Sequence, residues 1–150
     1  MKKHCLILFL ILFKASTLYS QKHELGKVTM EALQEKKHPI DSSAVAAILF
    51  NIGEVRFEYS EDSGFNMITV VRTKIKIYKK EGYDFANFAR KYYIGGNSAE
   101  NLSFSKAVTY NIVDGKIEKT KLKSDGEFDE KINKFWNRKK IALPNVKEGS

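Results

Sequence analysis

The chain has 150 residues, a net charge of +8 from 26 Lys and Arg against 18 Asp and Glu, and one cysteine. This length suits one domain, and two prolines with nine glycines argue against a disordered linker. The lysines are spread among acidic and apolar neighbours, which is typical of solvated strand faces and disfavours a nucleic-acid partner.

The first 20 residues have the pattern of a secretory signal peptide. Lys2 and Lys3 precede an apolar run over residues 5–13, and small residues lead to a cleavage point before Gln21. The run is too short to cross a bilayer as a helix, so we expect no transmembrane span after cleavage. Cleavage removes Cys5, and we therefore expect an exported chain without a thiol or a disulfide.

Residues 21–40 predict a polar, partly helical lead-in to a β domain over residues 41–150. Thr29 is placed to cap a short helix that runs through Leu33 and stops before Pro39. Residues 44–50 predict a strand buried on both faces, and residues 51–53 a turn. Residues 55–59 alternate between apolar and charged, as a half-buried strand does.

Further strands are predicted over residues 67–79, 85–94, 102–113, 116–123 and 139–142. Asp114 and Gly115 form the strongest hairpin signal, because both turn positions need positive φ. Residues 124–127 resemble a capping box, and an apolar stripe at helical spacing follows: Phe128, Ile132, Phe135 and Trp136. We therefore predict a mainly β fold, an incomplete antiparallel β-sandwich or half-barrel. It has a short N-terminal helix and one short helix before the last strand.

The residues assemble no catalytic constellation, and we predict no catalytic residue, cofactor or metal site. His38, Asp41 and either Ser42 or Ser43 invite a triad interpretation, but neighbours within one turn favour turn chemistry instead. Tyr92, Tyr93 and Trp136 are the candidate ligand surface. Strand alternation favours core packing for Tyr92, which leaves Tyr93 as the tyrosine expected to be exposed.

Six segments carry a resemblance to a known family, in the family's order and over nearly all of the mature chain. They are GKVT at 26–29, HPIDSSAVAAIL at 38–49, TKIKIY at 73–78, KEGY at 80–83, AVTYNIVDGK at 107–116 and ALPNVKEGS at 142–150. The chain resembles the DUF3857 domain that precedes a transglutaminase-like domain in bacterial envelope proteins. The signal ending at Ser20 is similar to those of Bacteroidetes.

This resemblance implies a location in the periplasm or cell envelope of a Gram-negative bacterium. It implies a non-catalytic accessory β domain that packs against a downstream transglutaminase-like domain of the same polypeptide, or that presents a polypeptide substrate to it. It also implies that the chain is a fragment, truncated at its C-terminal edge, because the family continues into another strand after the last segment. The alternative is a stand-alone secreted module that binds an envelope glycan or a peptide.

Overall fold

Seven antiparallel strands in three separate sheets form the described part of the chain. A computed structural model describes residues 24–150, so the predicted signal peptide lies outside the described residues. The strands are β1 (Ala46–Ser60), β2 (Gly64–Ile77), β3 (Asn87–Tyr93), β4 (Val108–Val113), β5 (Lys116–Lys121), β6 (Glu127–Lys131) and β7 (Trp136–Ala142). The sheet orders are β1-β2, β3-β7-β6 and β4-β5, and none of these sheets closes into a barrel. The prediction of a mainly β, antiparallel fold is confirmed.

The N-terminal helix α1 (Met30–Gln34) is the helix that the sequence predicted. The backbone N–H of Ala32 donates to Thr29 Oγ1 over 3.2 Å, so Thr29 is the N-cap. The helix ends before Pro39, as expected, and Leu33 is buried.

β1 and β2 form a long two-stranded hairpin, which we call the arm (residues 46–77). The predicted turn at residues 51–53 is wrong: Asn51, Ile52 and Gly53 pair with β2 and continue β1. Gly53 has no positive φ, and an uninterrupted partner strand holds these residues extended. The prediction that residues 44–50 are buried on both faces is also wrong, because Ile48 and Leu49 are exposed in this two-stranded sheet.

The strand predicted over residues 85–94 begins later, at Asn87, because a 3-10 helix (Lys80–Ala86) precedes it. This 3-10 helix packs closely on the start of the arm, where a Cβ atom on Gly82 would lie 2.4 Å from the carbonyl oxygen of Val45. The predicted hairpin at Asp114 and Gly115 is confirmed, with φ values of 49° and 72°. Both strands of this hairpin are shorter than predicted: β4 begins at Val108 and not at residue 102, and β5 ends at Lys121 and not at residue 123.

The prediction of a helix after residue 124 is wrong, because the apolar residues that suggested it lie in two strands and in the turn between them. A single 3-10 turn (Ser124–Gly126) is followed by β6, which contains Phe128, and β7 already begins at Trp136. Pairing with β7 overrides the helical spacing, because Asp129 lies opposite Lys139 and forms an ion pair with it. The carboxamide of Asn133 then accepts backbone N–H groups in the turn between the two strands.

A small core lies where α1, the end of β2, the first 3-10 helix and the C-terminal residues meet. Its buried apolar residues are Leu33, Ile77, Tyr78, Ala86 and Ile141, and Lys76, Thr109 and Asn111 are buried polar residues. We call the part of this core around Lys76 the junction, formed by Leu33, Lys76, Tyr78, Asn111 and Gly149. The arm extends from this core.

Candidate functional site

The predicted ligand surface is divided between the two faces of the β3-β7-β6 sheet. Tyr92 and Tyr93 are consecutive in β3 and point to opposite faces. The Tyr92 hydroxyl donates to Asp129 Oδ1 over 2.9 Å and accepts a hydrogen bond from Asn137 Nδ2 over 3.3 Å. Tyr92 is therefore held within the sheet's polar contacts and does not join the other two candidates.

Tyr93 and Trp136 lie together on the other face. They are direct cross-strand partners, and their rings meet edge to face with centroids 5.3 Å apart. The ring of Phe135 stacks on Tyr93 at 6.2 Å. Gly95 allows this packing, because a Cβ atom there would lie 2.5 Å from the Tyr93 hydroxyl oxygen.

A shallow cleft of about 220 Å³ opens beside this aromatic group. It is lined by Lys91, Ile132, Asn133 and Trp136. Trp136 is 39% exposed, so its ring forms one wall of the cleft and still contacts solvent. Such a cleft offers one aromatic surface and one cation to a ligand, and its small volume suits a single sugar ring or amino-acid side chain.

The charges on this sheet are mostly paired with one another. Glu130 on β6 contacts Lys140 at 2.7 Å and Arg138 at 3.4 Å on β7. The hydrogen bond from Lys140, together with its positive charge, lowers the pKa of Glu130 below its ordinary value. This carboxylate is therefore a cross-strand partner in the sheet, and it does not act as a free acid beside the cleft.

The suspected triad residues form a turn. The Ser43 hydroxyl donates to Asp41 Oδ1 over 2.6 Å, and the Ser43 backbone N–H donates to the same oxygen over 2.9 Å. These two hydrogen bonds lower the pKa of Asp41. His38 Nδ1 instead accepts the backbone N–H groups of Ile40 and Asp41. Because the imidazole does not link serine to aspartate, the turn chemistry predicted from the sequence is confirmed.

The largest feature that the sequence did not predict is one exposed face of the arm. Four cross-strand pairs share it: Gly53 with Val71, Val55 with Thr69, Phe57 with Met67, and Tyr59 with Phe65. None of these eight residues is charged. The apolar face, as we call it, consists of six large residues that are each at least half exposed: Val55, Phe57, Tyr59, Phe65, Met67 and Val71.

The opposite face of the arm carries charges that are paired with each other. Arg56 contacts Glu58 at 2.7 Å, and Arg72 contacts Glu54 at 2.9 Å across the strands. The alternation of residues 55–59 predicted a half-buried strand, in which the apolar face is the covered one. Phe57 and Phe65 are instead 70% and 80% exposed. One signal in the sequence could have indicated this surface. In both strands of the arm, before and after the turn, the residues of one face carry no charge.

The junction holds a lysine in an unusual environment. Lys76 is 5% exposed, and its Nζ donates to the carbonyl oxygens of Leu33 at 3.1 Å and Gly149 at 2.7 Å. Burial lowers the pKa of Lys76 to about 8, although the nearby Glu35 carboxylate acts in the opposite direction. Burial, together with a hydrogen bond donated to Glu35 over 2.9 Å, raises the pKa of Tyr78 to about 12.

Within residues 24–150, no group of three or more His, Cys, Asp or Glu side chains is arranged to hold a metal ion. In the same part of the chain, no helix is long and apolar enough to span a membrane. Comparison of the chain with protein-family models, with curated proteins and with solved structures finds no match.

Proposed function

We propose that this chain is a non-catalytic accessory β domain of an exported transglutaminase-like protein, and that its apolar face packs against another domain of that protein or a polypeptide that the protein handles. The single observation that carries this proposal is the exposed, uncharged apolar face of the arm. Contiguous apolar patches on exported or other soluble proteins are typical of interaction sites. The transglutaminase-like context and the export rest on the sequence segments and the N-terminal pattern described above.

The two faces of the arm differ in a way that suits this function. The face with Arg56, Glu58, Glu54 and Arg72 neutralises its own charges and is suited to water. The apolar face offers no charge to attract or repel a partner, so binding there depends on burial and shape. Tyr59 and Phe65 meet edge to face with centroids 5.2 Å apart near the tip, which gives this end a defined contact surface.

A charge placed on the apolar face tests the proposal in the complete protein isolated from its source. Phe57→Asp is compared with Ile40→Asp, since Ile40 is 92% exposed and lies outside the arm. In the 150-residue chain both changes are expected to shift the free energy of unfolding by no more than about 0.5 kcal/mol, because both side chains are exposed.

In the complete protein we expect Phe57→Asp to weaken the packing of this domain by about 2 kcal/mol, because a buried phenylalanine is lost from the contact. Calorimetry is then expected to show this domain unfolding at a lower temperature, separately from the rest. Ile40→Asp is expected to leave the unfolding profile unchanged. If the two variants give the same profile in the complete protein, the apolar face is not a packing surface.

The second candidate function is binding of a glycan or a peptide at the aromatic cleft. It is favoured by the position of Trp136, which is partly exposed between Tyr93 and the cleft. Trp136 is the single tryptophan of the chain, so its fluorescence reports binding directly. With oligomers of N-acetylglucosamine as the probe, Tyr93→Ala is expected to abolish the response and Tyr92→Phe to retain it. No response in the unaltered chain would exclude this probe class as a ligand of the cleft.

A further inference from the structure

The outer edge of β1, which faces away from β2, carries the backbone groups on which this inference depends. Within residues 24–150, β1 pairs with β2 alone, and no other backbone hydrogen bond reaches residues 53–60. Every residue in this range is exposed. The register shift of β1 lies earlier, between Ile48 and Phe50, so residues 53–60 form a regular edge. A regular, exposed edge pairs readily with another strand.

The odd-numbered residues of this edge direct their backbone groups outward. On β2, Ile77 exchanges two hydrogen bonds of 2.9 Å with the C-terminal turn (residues 147–150), which lies outside the arm. Because strand residues alternate in direction, Met67 also faces away from β1. Residues opposite each other in an antiparallel ladder either bond to each other or both face outward, so the partner of Met67, Phe57, faces away from β2. The same holds for the odd-numbered residues from 53 to 59.

The charged side chains of this edge complement a second copy of the same edge. In two antiparallel copies related by a two-fold axis through Phe57, Arg56 of each copy lies opposite Glu58 of the other. Opposite charges directly across two strands stabilise their pairing. An axis through Arg56 would place Arg56 opposite itself and Glu54 opposite Glu58, and these like charges would destabilise the pair. The charges therefore favour the axis through Phe57.

The same register also matches the apolar side chains. Phe57 lies opposite Phe57 of the other copy, and Val55 of each copy lies opposite Tyr59 of the other. All of these side chains are more than half exposed in a single copy, and their backbone groups face outward. Each opposing pair can therefore exchange both of its backbone hydrogen bonds. An axis through Val55 would place Phe57 opposite Gly53, and this aromatic contact would be lost.

We infer that two copies of this chain associate through the outer edges of β1, antiparallel and centred on Phe57. The product is a four-stranded sheet in the order β2-β1-β1-β2, with the apolar faces of both copies on the same side. This inference does not depend on the proposed function, because it uses a strand edge and leaves the apolar face open. The contact spans residues 54–60 and is small, so we expect a weak dimer with a Kd on the order of 10 to 100 µM.

The outer edge of β2 does not offer the same match to itself. β2 contains Arg72, Lys74 and Lys76 and no acidic residue. Two copies of that edge would bring cations together without any opposite charge. Lysines on an edge strand also discourage pairing. The four-stranded sheet therefore ends at β2 on both sides, and the two-fold contact closes at a dimer.

Charge reversal on β1 tests this inference in the 150-residue chain. Arg56→Glu places glutamate opposite Glu58 of the other copy, and Glu58→Arg places arginine opposite Arg56. Each variant alone is expected to raise the Kd of the dimer by about 10-fold or more, measured by sedimentation equilibrium from about 1 µM to about 1 mM. An equal mixture of the two variants is expected to dimerise again, because every opposing charge pair then joins glutamate to arginine.

Arg72→Glu is the matched control. Arg72 is also a partly exposed arginine that contacts a glutamate on the charged face of the arm, but it lies on β2. This variant is expected to leave the Kd of the dimer unchanged. Circular dichroism of each variant shows that the fold is retained.

Amide hydrogen exchange measured by NMR gives a second readout that needs no substitution. The amides of Val55, Phe57 and Tyr59 are expected to exchange more slowly as the concentration of the chain rises, because their N–H groups face the other copy. The amides of Glu54 and Arg56 face β2 and are expected to exchange at a rate that does not depend on concentration.

Three results would overturn the inference: a monomer over the whole concentration range, single variants that dimerise as well as the unaltered chain, or a mixture that fails to associate. Dimers retained by both single variants would assign the contact to another surface.

Arg56→Glu also separates this dimer from the packing of the apolar face, because it changes only the charged face. The comparison of Phe57→Asp with Ile40→Asp is made below the Kd, where the chain is a monomer. In the complete protein, a Phe57→Asp effect without an Arg56→Glu effect supports packing independently of the dimer. Equal effects of these two variants would assign the change to the dimer and refute the packing function.

Discussion

The buried lysine of the junction makes the stability of this protein depend on pH in an unusual direction. Lys76 has an ordinary pKa of 10.5, which the fold lowers to about 8. Between these values the unfolded chain holds a proton that the folded chain has released, so the free energy of unfolding rises with pH. Below about pH 8 both states are protonated and the full cost of burying the charge is present.

The size of the effect follows from the two pKa values. Each unit of pKa difference corresponds to about 1.4 kcal/mol, and the shift from 10.5 to about 8 gives a total of about 3 kcal/mol. Of this total, about 2 kcal/mol is gained between about pH 8 and about pH 10. The raised pKa of Tyr78, about 12, has the opposite consequence above its ordinary value of 10.0. There the folded state keeps a proton that the unfolded state loses, and stability falls.

We therefore expect the free energy of unfolding to reach its maximum near pH 10, measured by urea denaturation followed by circular dichroism. Lys76→Met removes the buried charge, and it also removes the donor to the carbonyl oxygens of Leu33 and Gly149. These two changes act on stability in opposite directions, so the pH dependence is the test. In Lys76→Met we expect the rise in the free energy of unfolding between about pH 8 and about pH 10 to disappear. Lys121→Met, which removes an exposed lysine, is expected to retain the rise.

Direct titration of the Lys76 ammonium group by NMR gives a second readout that needs no substitution. A titration midpoint near 8 agrees with the expected burial of the charge. If Lys76 titrates near 10.5, or if the unaltered chain shows no stability gain between about pH 8 and about pH 10 relative to Lys76→Met, the reasoning about this junction is refuted.

Two further predictions concern side chains that cap or satisfy backbone groups. Thr29→Ala is expected to lower the free energy of unfolding by about 1 kcal/mol, because α1 loses its N-cap hydrogen bond. Thr29→Ser keeps a hydroxyl at the N-cap and is expected to retain both the hydrogen bond and the stability. Asn111→Ala is expected to cost about 2 kcal/mol, because Ser150 Oγ and the carbonyl oxygen of Asn145 lose their partner. The exposed Asn101→Ala is its control, and urea denaturation measures both pairs. An Asn111→Ala cost no larger than the control's would show that the C-terminal turn is not held by this side chain.

The sequence predicted the local features of the fold where a few neighbouring residues decide the backbone. Thr29 was placed correctly as a helix cap, and Asp114 with Gly115 as a hairpin turn. The predicted turn at Gly53 and the predicted helix containing Phe128 failed for a shared reason. In both places a long-range partner strand, β2 or β7, supplies cross-strand contacts that a local pattern does not contain.

The candidate site was predicted only in part. Aromatic residues in β3 and before the last strand indicated a surface, and Tyr93 and Trp136 do meet, but Tyr92 belongs to the opposite face. The pairing of β3 with β7 decides which of two consecutive tyrosines joins the tryptophan. A one-residue change in that register would exchange their places.

The sequence by itself determined the β class, the alternation of the arm and the charges that alternate with its apolar residues. It could not determine which strand faces are covered, because alternation sets two faces and says nothing of what lies over each. Only the tertiary structure leaves Phe57 and Phe65 exposed and buries Lys76, although the alternation around Phe57 suggested that its face would be covered. Burial depends on which distant segments meet, and here α1 and the C-terminal turn meet at Lys76 while the apolar face of the arm extends beyond them.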